Sequence, residues 1–209
     1  MLMETFYWTF LYINYILLSL NVIVGLMNFK RLTNKERIYL YYISFLFLIE
    51  FVSFVVPKVM VIKDMSSLYL VYISGEFLLL STLFFKKLHL SKIFSVIAVA
   101  LVAIFLGISY FPNIGFNPDL AKVISNIIII CLASTYLLRQ IKTGKEIDRF
   151  VLVDAGIFFY YSVSVLIFVV QSQLPNLSEE SLYLVLGINT VLAALLYSTL
   201  LYRFLKLKK

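Results

Sequence analysis

The sequence predicts an all-α, polytopic membrane protein. It reads as one domain of seven transmembrane helices over residues 1–209, with the N-terminus outside and the C-terminus cytoplasmic. Three observations predict this. Hydrophobic residues make up 62% of the 209 and charged residues 14%, with mean hydropathy +0.98. Soluble domains run at about 45–50% apolar and about 25% charged, and a chain this size has too little interior to hide the excess. Seven stretches reach the roughly 20 apolar residues that a bilayer crossing needs. Fifteen of the 18 Lys and Arg residues fall on alternate connections and the tail. A soluble enzyme and a disordered tail are both excluded.

The apolar runs are continuous, without the alternation of barrel strands, so helices are expected. The first, about 6–27, follows Glu4 rather than a basic start, and no small-residue cleavage site follows it. It reads as a helix, not a signal peptide. The second, about 38–56, carries Glu50. The third, about 67–85, carries Glu76. The fourth, about 93–111, is apolar throughout. The fifth, about 119–138, carries Asn126. The sixth, about 150–171, carries Asp154 near its start and Tyr160, Tyr161 and Ser162 further in. The seventh, about 181–202, carries Asn189. Connections of about ten residues or fewer are typical of helix bundles. Pro57, Pro112, Pro118 and Pro175 fall at span ends or in loops, which predicts no proline kink.

Charge sets the orientation. The first loop carries Lys30, Arg31, Lys35 and Arg37, and the third Lys86, Lys87 and Lys92. The fifth carries Arg139, Lys142, Lys145 and Arg149, and the tail Arg203, Lys206, Lys208 and Lys209. The opposite side holds Lys58, Lys63 and Lys122. Short loops rich in Lys and Arg stay in the cytoplasm. The net charge of +7 thus reflects insertion, and direct nucleic-acid binding is not expected. A basic inner face also suits anionic lipid or a protein partner. His89, among these lysines, reads as an interfacial residue.

Charges within spans are costly and mark candidate sites. Asp154, about one turn inside its boundary, can reach the headgroups or favour its own helix N-terminus. Glu50 and Glu76 lie deeper, about 9 Å and 14 Å from the outer boundary at about 1.5 Å per residue. Asn14, Asn126, Ser164 and Asn189 fall near 10–12 Å by the same count. Six of seven helices thereby place a polar side chain in one outer layer, which Tyr15, Tyr72, Ser74 and Ser125 could join. If they converge, Glu50, Glu76, Asn14, Asn126, Ser164 and Asn189 form a ligand-binding or ion-coupling pocket for a cation, an amine or a proton. Asp154, Tyr160, Tyr161 and Ser162 form a second candidate site. The competing reading is interhelical hydrogen bonding at about 0.6–2 kcal/mol per contact.

Other features are structural expectations. Tyr41, Tyr42, Tyr69, Tyr183 and Tyr202 lie near boundaries, as an aromatic belt does. Gly25, Gly75, Gly107, Gly156 and Gly187 read as close-packing points. Ser67-Leu68-Tyr69-Leu70-Val71 recurs as Ser181-Leu182-Tyr183-Leu184-Val185, 114 positions later. That offset lays helices one to three on five to seven, a 3+1+3 pattern with parallel halves. One cysteine (Cys131) and one histidine rule out an intrachain disulfide and multi-histidine or multi-cysteine metal sites. No phosphate loop, HExxH or GxSxG occurs. No catalytic residues, cofactor or metal are expected, and the chain reads as a non-enzyme.

Tyr69-Leu70-Val71, then Gly75-Glu76-Phe77-Leu78-Leu79-Leu80 and Phe84-Phe85, resembles helix three of small seven-helix inner-membrane proteins of low-GC bacteria. Gly156-Ile157-Phe158-Phe159-Tyr160-Tyr161-Ser162 with Phe168 resembles their helix six, and Ser125-Asn126-Ile127-Ile128 their helix five. The family is similar to the membrane-sensor part of some bacterial histidine kinases. The resemblance implies a bacterial inner-membrane location and roles for Glu76, Asn126 and Ser162. Asp154 and Val163 depart from its pattern, standing where an aromatic and a glycine are expected.

The first functional expectation is a sensor or signalling accessory, with a polar outer site and a cytoplasmic or membrane protein partner. The alternatives are a proton- or cation-coupled transporter or channel, and a homo-oligomeric membrane effector in phage defence.

Overall fold

The computed structural model describes residues 2–60, 66–110, 117–143, 148–171 and 179–207. Among them lie α1 (Leu2–Met27), a 3-10 turn (Phe29–Arg31), α2 (Arg37–Met60), α3 (Ser66–Leu88), α4 (Lys92–Tyr110), α5 (Pro118–Thr143), α6 (Val151–Gln171) and α7 (Glu179–Lys206). No strand occurs among the described residues. All seven helices are long and apolar enough to cross a membrane, so the chain is a multi-pass membrane protein. Lys63, Pro112, Lys145, Pro175, Lys208 and Lys209 lie outside the described residues.

Local chemistry explains the helix ends. Thr33 and Glu36 form a capping box before α2: the Thr33 N–H donates to Glu36 Oε2 at 2.7 Å, and the Glu36 N–H to Thr33 Oγ1 at 3.4 Å. Asn117 caps α5, accepting from the Asp119 N–H at 2.8 Å. Pro118 then occupies the first helical position, where a missing N–H costs nothing. His89, with φ of 55°, ends α3 in the left-handed conformation that glycine usually supplies, and the Leu90 N–H bonds back to the Phe85 carbonyl at 3.0 Å.

Helix α2 runs a few residues further than expected. It continues through Pro57 to Met60, so that proline lies inside a helix. It stands in the last turn, where only the bond to the Ser53 carbonyl is lost, so the helix survives it.

Hydrogen bonds between helices give their directions. Asn14, Asn21 and Asn28 each donate from Nδ2 to the carbonyl 176 residues on, at Thr190 (2.9 Å), Tyr197 (2.9 Å) and Phe204 (3.3 Å). The two series rise together, so α1 and α7 are parallel. Their seven-residue step is the repeat that keeps one seam facing a parallel partner. Tyr39 and Tyr42 of α2 meet Asp154 and Tyr161 of α6, again in parallel. Glu76 and Lys87 of α3 meet Tyr161 and Asp154 in reverse order, so α3 and α6 are antiparallel.

Six helices close a ring in the order α1, α2, α3, α5, α6, α7, with α1 against α7 the most extensive seam. Helix α4 packs on α3 outside the ring. An apolar hollow of about 230 Å³ lies between α3, α4 and α5.

The polarity of the bundle is inverted relative to a soluble protein. Ile16, Phe51, Ile93, Val96, Phe159 and Leu166 face outward, while Asn21, Glu76, Lys122, Asn126 and Asp154 are at most 2% exposed. Lipid solvates the first set, and the interior must satisfy the second. The glycines divide. A Cβ on Gly75 would lie 2.3 Å from the Phe45 ring and one on Gly25 2.5 Å from Leu40, but one on Gly107 would meet nothing within 4 Å. Gly107 is therefore not the close-packing point expected of it. Tyr42, expected in an interfacial belt, is 2% exposed and belongs to the core.

Candidate functional site

The half of the bundle where α1, α3, α5 and α7 begin is called upper here. Glu50 stands ten residues before the end of α2, and Glu76 ten residues after the start of α3. At about 1.5 Å per residue both lie about 15 Å from the upper helix ends. The longer helices thus put the two acids on one level.

Their surroundings differ. Glu76 is 2% exposed and forms an ion pair with Lys122 of α5. It also accepts from the Tyr161 hydroxyl at 2.6 Å and the Tyr72 hydroxyl at 3.1 Å. Lys122 donates further to Tyr72 at 3.2 Å, and Tyr42 and Tyr161 share a 3.1 Å bond. Both charges are thereby partnered. Lys122 was counted among the charges of the outer side; it is a buried counter-ion. Its signal was position: a lysine in the opening turns of a helix opposes the helix dipole and needs an acid nearby.

The Glu50 carboxylate has no hydrogen-bond or ion-pair partner among the described residues; its backbone carbonyl accepts from Ser53 Oγ at 2.9 Å. It lines a cavity of about 140 Å³ inside the ring. Asn14, Asn189 and Thr190 line the same cavity, with Tyr15, Tyr72, Tyr160 and Tyr197 as aromatic walls. The Asn14 amide nitrogen is committed to the Thr190 carbonyl, which fixes the amide orientation, because a carbonyl only accepts. Asn14 Oδ1 is then left without a partner, and so is Asn189 Oδ1. Tyr72 joins the two acids: it borders the cavity and bonds to Glu76.

The expected pocket is therefore divided. Glu50, Asn14, Asn189 and, from the second candidate set, Tyr160 converge on the cavity. Glu76 and Tyr161 form the adjoining ion-pair cluster. Asn126 is fully buried but lines neither, and neither atom of its amide has a partner. Ser164 is 1% exposed and off the cavity. Ser162 bonds back to the Phe158 carbonyl at 2.7 Å, a contact within its own helix.

The lower half holds a second ionic cluster. Lys87 lies 2.5 Å from Asp154 and 2.9 Å from Asp148. Tyr39 donates to Asp154, and Tyr136 to Asp148 at 2.7 Å. The Lys87 ammonium also stands 4.6 Å from the centre of the Tyr136 ring. Two expectations change. Asp154 is fully buried rather than reaching for headgroups, and Lys87 is a buried helix residue rather than a loop charge. Close by, Arg149 pairs with Glu36 and donates to the Arg31 carbonyl at 3.1 Å, while Lys35 and His89 stand 3.3 Å apart. The first, third and fifth connections thus meet at one end. Partial burial pushes the Glu36 carboxyl up, but hydrogen bonds from Arg149 and Thr33 outweigh it and hold it below its usual value. Burial likewise pushes the Asp148 carboxyl up, but Lys87, the Phe150 N–H and Tyr136 outweigh it and hold it below its usual value.

Between the two clusters lie Leu80, Leu83 and Phe84 along α3 and Ile157 along α6, all fully buried in one apolar core. Within that layer α3 also places Ser81, fully buried with an unpartnered hydroxyl. Among them, no group of three His, Cys, Asp or Glu is arranged to hold a metal ion. Set against protein-family models, curated proteins and solved structures, the chain gives no match.

Proposed function

We propose that this is a non-enzymatic protein of the bacterial inner membrane, N-terminus outside, that binds a small cation in its outer half. It passes occupancy inward through contacts of its basic cytoplasmic face with a partner protein. The observation that carries this reading is the unpartnered Glu50 carboxylate facing the cavity beside two unpartnered asparagine oxygens. An isolated acid among apolar spans is costly unless something occupies it. The layer below, apolar at Leu80, Leu83, Phe84 and Ile157 and broken on α3 by the Ser81 hydroxyl, favours a ligand that enters and stops, hence sensing. A sensor needs two states that the ligand binds unequally, and the ionic cluster of Lys87, Asp148 and Asp154 joins α3, α6 and the fifth connection where such a shift would be read. The polar residues face the interior of one chain, which supports this over an oligomeric effector.

Cation-coupled transport is a second reading, supported by the ring. Under the 114-residue offset the α1/α7 seam exchanges with the α3/α5 seam. Arg139 donates to the Leu88 carbonyl at 3.0 Å on the latter. Moved by 114 residues that pair falls on Gly25 and Tyr202, one residue off the 176-residue register of the former. Two similar halves around a central site are a transporter arrangement.

Proteoliposomes separate the two. Cation-dependent thermal stabilisation that Glu50→Gln removes, without flux, supports sensing. Flux that Glu50→Gln abolishes supports transport. Neither effect, from folded protein, overturns both.

A further inference from the structure

We infer that the Glu50 cavity selects a small primary ammonium, R–NH3+, with a substituent of about two or three carbons and no carboxylate. The inference rests on the cation-binding reading above and names its ligand class.

Acceptor count comes first. Glu50, Asn14 and Asn189 line the cavity, and the Asn14 Oδ1 and Asn189 Oδ1 atoms are buried without a partner. Asn14 is 6% exposed, and a buried acceptor left unmet costs about 1–3 kcal/mol. A primary ammonium carries three N–H donors, one for each acceptor group. A quaternary ammonium carries none.

Volume comes next. About 140 Å³ equals the liquid volume of about four or five waters at roughly 30 Å³ each. A bare hard cation needs six or more oxygens converging at about 2.0–2.6 Å; one carboxylate with two amide oxygens supplies four, and the rest would have to come from the hydroxyls of tyrosines or Thr190. An ammonium with a short alkyl group fills the space. Tyr15, Tyr72, Tyr160 and Tyr197 add aromatic walls, against which a cation is attracted by about 0.5–2 kcal/mol.

Charge excludes the amino acids. No lysine, arginine or histidine lines the cavity. Among the described residues Lys122 stands nearby, held by Glu76 on the far side of Tyr72. A zwitterion would bury its carboxylate without a counter-charge, a cost of several kcal/mol per ion.

The test is binding to the full chain in lipid nanodiscs, read by thermal shift and calorimetry. The probes are ethylammonium, tetramethylammonium, glycine, sodium and potassium, all as chlorides or free zwitterion at matched ionic strength. Ethylammonium is expected to bind at least tenfold more tightly than the others. Glu50→Gln and, separately, Asn189→Leu are expected to weaken it roughly ten- to a hundredfold. The second variant keeps near-constant volume and removes one acceptor, so it tests the geometry if the first alters folding. Equal binding of tetramethylammonium, or binding of glycine, overturns the three-donor match. Glu50-dependent binding of sodium or potassium with no preference for ethylammonium overturns this inference and leaves the cation reading standing. No Glu50-dependent binding of any cation overturns both.

Discussion

The Lys87 ammonium meets the Asp154 carboxylate 2.5 Å away, joining the end of α3 to the first turn of α6 in an interior where both side chains are at most 2% exposed. Asp148 completes the arrangement at 2.9 Å. Removing one partner of a buried pair strands the other, at about 3–5 kcal/mol. Lys87→Met strands two carboxylates and is expected to lower the melting temperature sharply. Asp154→Asn leaves Lys87 its bond to Asp148 and is expected to cost clearly less. Thermal melts of the two variants in the same lipid check the order; equal losses would mean that Asp148 does not share the charge.

Glu76 and Lys122 follow the same rule without a spare partner. Each single change, Glu76→Gln or Lys122→Met, is expected to destabilise by about 3–5 kcal/mol, and the double change by less than either. A double-variant cycle measures this. Strict additivity would show that the pair contributes nothing as a pair.

The α1/α7 seam is held by neutral contacts. Asn21 is fully buried and donates to both the Leu17 carbonyl at 2.8 Å and the Tyr197 carbonyl at 2.9 Å. Asn21→Leu is expected to cost about 0.6–2 kcal/mol, and the loss is expected to be independent of pH, since nothing in the contact titrates. A pH-dependent loss would place a charge there.

Gly75→Ala would put a methyl 2.3 Å from Phe45. Overpacking costs typically about 1–3 kcal/mol. Gly107→Ala meets nothing within 4 Å and is expected to leave the melt unchanged or raise it slightly, since alanine favours a helix by up to about 1 kcal/mol.

Acid is expected to loosen the lower end of the bundle. Glu36 and Asp148 both have folded values below their ordinary 4.5 and 3.8. A lowered acid stabilises the fold above its unfolded value, and that stability is lost as pH falls through the folded one. The loss should begin near pH 4.5 and deepen below 3.8. Glu36→Gln should remove the upper part of that transition, as followed by hydrogen exchange at the start of α2. An unchanged profile would remove Glu36 from the account.

Much was legible in the sequence because the bilayer imposes it. Lipid offers no hydrogen bonds, so the chain must cross as helices, and seven apolar runs gave seven helices. The seven-residue spacing of Asn14, Asn21 and Asn28 went unread until their bonds to α7 showed one long parallel seam. Depth counting brought Glu50, Asn14 and Asn189 to one level, because rise per residue is nearly constant along a helix. What depth counting lacks is azimuth. Only the packing of α5 against α3 turns Lys122 inward to Glu76, and only the ring closure leaves Glu50 facing a cavity instead. A charge count cannot separate a loop lysine from a buried counter-ion, so Lys87 and Lys122 read as topology signals. The sequence determined that this chain spans a membrane with acids among its helices. The tertiary structure decided which acid is paired and which is open, because an ion pair between distant segments depends on which helix faces meet.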